Sequence, residues 1–203
     1  MVDLSNIPAD EALRRLIAGN ERFVSGETSF SGLQKESLLD LAAGQNPFAT
    51  ILGCSDSRVP PELIFDAGLG DLFVIRVAGN VFSPEIAGSL QYAGAHLNTL
   101  LFVVLGHEGC GAVSAALKTR DDGELQLSRI QLLVEKILPA LPPLDRELSP
   151  AARLTRSIES NVRWTVRQIS ETPEGQRRRV EGRIKIVGAI YEIESGRVRL
   201  LTS

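Results

Sequence analysis

The rhythm of apolar positions changes along this chain, and each change marks an element. Over residues 8–24, Ala12, Leu13, Leu16, Ile17 and Phe23 form a broad stripe among Glu11, Arg14, Arg15 and Arg22, which predicts an amphipathic helix. A second helix is expected near 33–43. This front end precedes any strand and reads as an arm packing on a partner subunit. Residues 48–53, 71–78 and 100–105 are then short, almost continuously apolar runs. Such runs read as strands buried on both faces, the habit of parallel sheets. Between the last two, Ser83 is placed to cap a helix that opens on Pro84 and carries Ile86, Leu90, Ala93 and Leu97 on one face. Further helices are predicted over 125–138 and 149–169, with Pro139, Pro142 and Pro143 breaking the chain between them. Finally Ile184, Ile186, Gly188 and Ile190 alternate as a strand, and Ser195-Gly196 turns it into residues 197–201. The pattern predicts an α/β fold: a central, mostly parallel sheet flanked by helices, with right-handed crossovers. One domain is expected over 1–203, divided into an N-terminal helical arm at 1–45 and an α/β core at 46–203.

Composition narrows the class. A length of 203 residues suits one domain with a proper core. A formal net charge of −3 gives no basic surface for nucleic acid. The one basic run, Arg177, Arg178 and Arg179, reads as a solvated helix face or turn. No uncharged apolar run approaches the ~20 residues of a membrane helix, and the start of the chain lacks a basic-then-apolar leader pattern. A cytoplasmic location without membrane partners is expected. With only two cysteines, Cys54 and Cys110, a disulfide framework is not expected.

The chemistry sits where strands end. The first apolar run leads into Gly53-Cys54-Ser55-Asp56-Ser57-Arg58, and the third into Gly106-His107-Glu108-Gly109-Cys110-Gly111. In open parallel sheets ligands gather beyond the carboxyl ends of strands, so both segments are expected to meet at one crevice. Two thiols and an imidazole suit Zn²⁺, with a fourth position for carboxylate or water. A helix beginning at Gly111 would favour the thiolate of Cys110. Two readings stay open beside the metal site: inert core cysteines, or a redox pair that leaves His107, Asp56 and Arg58 unexplained.

The paired motifs resemble the signature of the β-class carbonic anhydrases. So do Gly19-Asn20-Glu21-Arg22-Phe23, the Gly44, Gln45 and Pro47 positions, residues 71–80, Asn161-Val162 and Gly188-Ala189-Ile190-Tyr191. The resemblance spans nearly the whole chain except residues 119–152. It implies one Zn²⁺ per chain on Cys54, His107 and Cys110, with Asp56 either as fourth ligand or paired with Arg58. It implies a pocket lined by Gln45, Phe73 and Tyr92 between two subunits of a homodimer or homotetramer. The implied reaction is reversible hydration of carbon dioxide to bicarbonate and a proton, with carbonyl sulfide or carbon disulfide hydrolysis as the alternative on the same scaffold. A closed, purely structural zinc site is a further rival, disfavoured by Arg58, Gln45, Phe73 and Tyr92. The sequence departs from the family at Gln91, where Glu is usual, and at Ala67, where Gln is common. His96 matches no ligand position and reads as partly buried or surface. In one subset of the family bicarbonate locks the Asp onto zinc from a pocket that includes a Trp three residues before the first ligand Cys. That position is Ile51 here, while Arg76 and Tyr191 match other members of that pocket.

Overall fold

Five strands make one sheet in the order β2-β1-β3-β4-β5, with β1 at Ala49–Gly53, β2 at Leu72–Arg76, β3 at Leu101–His107, β4 at Lys185–Tyr191 and β5 at Val198–Leu200. The first four run parallel and β5 returns antiparallel to β4. The computed structural model describes residues 7–29, 41–42, 44–182 and 184–202. Among these, α1 is Ala9–Ser25, α2 Pro61–Ile64, α3 Pro84–His96, α4 Gly111–Asp122, α5 Ser128–Ile137, α6 Pro150–Glu171 and α7 Pro173–Val180. The helix expected over 33–43 lies outside the described residues, apart from Leu41 and Ala42, which are helical. No helix among the described residues is long and apolar enough to cross a membrane.

The continuous apolar runs follow from position in the sheet. Every residue of β1 and β3 is buried, because both strands lie inside the sheet with cover on each face. On one face Leu52, Ile75, Phe102, Val104 and Ile190 pack under α3, α4, α5 and α6. On the other, Ala49, Ile51, Leu101, Val103, Leu105, Ala189 and Tyr191 pack under α1 and the segment around α2. Ser83 caps α3 as predicted and Ser149 caps α6: their hydroxyls accept from Ile86 N at 3.5 Å and Ala152 N at 3.2 Å. The approach of α6 depends on Gly106 in β3. A Cβ there would lie 2.5 Å from Val162 Cγ2. That closeness brings the polar face of α6, Asn161 and Thr165, down to the carboxyl end of the sheet.

In this chain α1 lies on its own sheet, with Ala12 and Leu16 buried. Asn20 holds it there: its amide donates to Ile64 O at 3.1 Å and Gly196 O at 2.8 Å, and its Oδ1 accepts from Val198 N at 2.8 Å.

Candidate metal centre

Register brings the chemistry together. Gly53, the last residue of β1, stands opposite Leu105 of β3, so Cys54 just beyond it faces the segment that carries His107 and Cys110. The strand expected to stop at Leu105 runs two residues further, and His107 pairs with Tyr191 of β4. The imidazole is therefore fixed by the sheet ladder rather than by a loop. Gly109, at φ 65°, reverses the chain so that Cys110 precedes α4. The Sγ atoms of Cys54 and Cys110 and a ring nitrogen of His107 all lie within 4.8 Å of one another, and all three residues are buried.

Each of the three has its orientation set by a backbone group. His107 Nδ1 donates to Glu108 O at 2.8 Å, which leaves Nε2 as the bare lone pair. Nε2 is buried and has no hydrogen-bond partner. Cys54 Sγ accepts from Gly79 N at 3.3 Å. Gly79 stands at φ 72°, in the left-handed region, inside the 3₁₀ turn Ala78–Asn80 that follows β2. Cys110 behaves contrary to expectation. The amides of Ala112 and Val113 at the start of α4 do favour its thiolate, but its thiol hydrogen bond to Cys54 and its burial outweigh them and push it up. The same hydrogen bond from Cys110 holds the Cys54 thiol well below the usual range. The two sulfurs thus lie beside a buried imidazole nitrogen that has no hydrogen-bond partner. The donor set fits a borderline-soft divalent cation, which would give Nε2 its partner.

Asp56 pairs with Arg58 through both oxygens. Oδ1 accepts from Arg58 N at 3.0 Å and Nε at 2.9 Å, and Oδ2 accepts from Nη2 at 2.9 Å. The guanidinium holds the Asp56 carboxyl well below the usual carboxylate range. Oδ2 stands 3.9 Å from His107 Nε2, so the carboxylate lies beside the cluster while bound to arginine. Arg76 donates from Nε to Cys54 O at 3.0 Å and from Nη2 to Asp56 O at 2.6 Å, which ties the intervening loop to β2. Ile51 is buried on the opposite face of the sheet, in the core that includes Tyr191.

The three pocket candidates are distributed differently. Phe73 on β2 is half-buried against the core that contains Cys54, and its ring lies 6.1 Å from that of Tyr92 on α3. Tyr92 is 46% exposed, with the His96 ring tilted against it at 5.0 Å. Gln45 is exposed on the segment before β1, with no described contact to the cluster. His96 is a surface residue. Gly79 and the Glu108 carbonyl are the partners that sequence reasoning missed. Both act through backbone atoms, which leave no side-chain signature.

The chain matches the family model described as carbonic anhydrase over residues 49–198. It is 40% identical to carbonic anhydrase 2 of Mycobacterium tuberculosis over 190 residues, 93% of this chain and 91% of that one. It is 37% identical to the carbonic anhydrase of Mycolicibacterium smegmatis over the same shares of each. Among solved structures, the β-carbonic anhydrase CcaA superposes with a TM-score of 0.76 at 28% identity, covering 94% of this chain and 95% of that one.

Proposed function

The chain belongs to the β-class carbonic anhydrase family and catalyses the reversible hydration of carbon dioxide, and from that premise we propose that Cys54, His107 and Cys110 hold one zinc ion while Asp56 and Arg58 manage the reacting water. The observation that carries this reading is the buried, unpartnered Nε2 of His107 in a cluster with two buried cysteine sulfurs, its ligand atoms all within 4.8 Å of one another. Zinc, when bound, supplies Lewis acidity that makes water a nucleophile near neutral pH. Two thiolates cancel the formal charge of the ion, so that acidity is weaker than in an all-histidine site. Asp56 compensates. Its Oδ1 is saturated by Arg58 N and Nε, whereas Oδ2 has a single donor and keeps a lone pair on the side of His107. That oxygen is placed to accept the proton of the attacking water and orient its lone pair toward carbon dioxide.

The bicarbonate switch of some relatives is expected to be absent. Ile51 offers no indole donor, and Arg76 directs its Nε and one Nη2 donor to Cys54 O and Asp56 O. A ligand shifts a two-state site only by its differential affinity for the two states, and Ile51 adds no polar contact to an anion. Asp56 adds no titration in the working range. A carboxylate lowered in the folded state keeps its stabilising contribution above its unfolded pKa, about 3.9, and loses it only as pH falls through the lower folded value. Initial rates of carbon dioxide hydration between about pH 6.5 and 9, with and without bicarbonate at fixed ionic strength, test both points on zinc-replete protein. We expect turnover that declines smoothly with falling pH as one proton is bound. Absent turnover sinks the zinc-enzyme reading. A steep, cooperative loss below about pH 8, deepened by bicarbonate beyond product inhibition, sinks the expectation of no switch.

The working unit we propose is a homodimer or a multiple of it, in which Gln45, Phe73 and Tyr92 face the metal centre of the neighbouring copy. Phe73 lies on β2, which among the described residues pairs only with β1, and the exposed Tyr92 ring beside it is an apolar surface without cover in the single chain. Sedimentation and activity across a dilution series check this. Full activity in a sedimenting monomer would refute it.

A further inference from the structure

We propose that Asn161 is a positioning residue for the metal centre: from α6 it fixes the carbonyl of Gly79 and, through that residue's Cα, the preceding peptide, whose N–H donates to Cys54 Sγ. The proposal rests on the zinc reading above and adds a role for a residue that touches none of the ligands. Asn161 Nδ2 donates to Gly79 O at 2.8 Å, buried, across 82 positions of sequence. Four residues on, on the same face of α6, Thr165 Oγ1 donates to the next carbonyl, Asn80 O, at 3.2 Å. One helix thus grips two consecutive peptides of the turn. The turn cannot retreat, because a Cβ on Gly79 would meet Ile137 Cδ1 at 2.8 Å and Ala112 Cβ at 3.1 Å, so α5 and α4 close on it from above. Between these supports the Gly79 N–H points at Cys54 Sγ from 3.3 Å.

Packing alone does not account for this amide. Asn161 Oδ1 is buried with no partner, and Asn80 Nδ2 in the gripped turn is buried without one as well. A half-satisfied amide in a core costs more than an apolar side chain of the same shape. Asn161 leaves its acceptor without a partner while its Nδ2 reaches the carbonyl of the residue whose N–H meets a ligand sulfur. A donor held on a ligating thiolate draws off part of its charge, so the sulfur gives less to the metal and the ion retains more of its acidity.

The test replaces zinc by cobalt(II) in the full-length protein and reads the sulfur-to-cobalt charge-transfer band, together with zinc affinity by chelator competition. In Asn161→Ala the band is expected to move to lower energy as the sulfur becomes more electron-rich. Zinc binding is expected to weaken about 10-fold, because the loss of a fixed sulfur position outweighs the gain in its electron donation. Thr165→Val, which loosens the same turn without touching Gly79, is expected to lower the thermal midpoint and leave the band in place. If Asn161→Ala does not fold, Asn161→Ser, too short to reach Gly79 O, carries the same readouts. An unmoved band and unchanged affinity in the Asn161 variant overturn the proposal, whatever happens to its thermal midpoint. Equal band shifts in both variants overturn it too, since they make the amide one prop among several. A wild-type protein that takes up cobalt without any sulfur-to-metal band sinks the zinc reading and this proposal together.

Discussion

His107→Ala is expected to reduce zinc from about one ion per chain to a small fraction, and carbon dioxide hydration to the uncatalysed background. The imidazole is wholly buried, its Nδ1 is spent on Glu108 O, and Nε2 is its only free donor atom. Removing it leaves the two sulfurs of the set. Two ligands cannot close a tetrahedral site, and water entering the gap would have to replace a nitrogen fixed by the β3–β4 ladder. Because a structural zinc ion is worth on the order of 10 kcal/mol, loss of metal is expected to lower the thermal midpoint as well. Cys110→Ser separates the two effects: it keeps the volume and replaces a soft ligand by a poor one. Elemental analysis, circular dichroism and rate measurements on both variants decide the matter. Full zinc occupancy in folded His107→Ala would remove His107 from the ligand set.

Much of this centre was legible because its signals are local. A continuous apolar run ending in Gly53-Cys54 marks a buried strand and its exit, and Ser83-Pro84 and Ser149-Pro150 announce helix starts by chemistry confined to three or four residues. What escaped depends on partners distant in sequence. Gly106 and His107 look like loop because neither is a strong strand former, yet Ile190 and Tyr191 hold them in register. The four residues of α2 are too few to show a period. Nothing local foretells that Cys54 would outweigh the amides of α4 in setting the Cys110 proton, since the two sulfurs meet only in the folded chain. Asn161 reads along α6 as one polar position among many, and its meaning appears only when Gly106 lets the helix come close. Asn20 is the same case on the other face, where its amide joins α1 to β5 and to the turn before it.

Arg58→Ala is expected to lower kcat/KM by about 10²–10⁴-fold while leaving zinc at about one ion per chain. Arg58 touches neither a sulfur nor the imidazole. Its work is to hold Asp56 by three hydrogen bonds, two from the guanidinium and one from its own backbone N–H. The alanine variant keeps the backbone donor and loses the other two, so the carboxylate is released 3.9 Å from His107 Nε2, beside a cation it is charged to bind. Asp56 would then compete with water for the open ligand position, and the variant fails through a closed site rather than an empty one. Lysine at position 58 should recover little, because a single ammonium cannot reproduce the fork that engages both oxygens. Asp56→Asn should fail by a different route, losing the proton acceptor while the amide stays beside the ligands. The two residues act as one unit, so Asp56→Asn combined with Arg58→Ala should lose little beyond the worse of the single variants. Multiplicative losses in the double variant would show that Arg58 acts on the substrate directly. Loss of zinc in Arg58→Ala would show that it supports the metal instead.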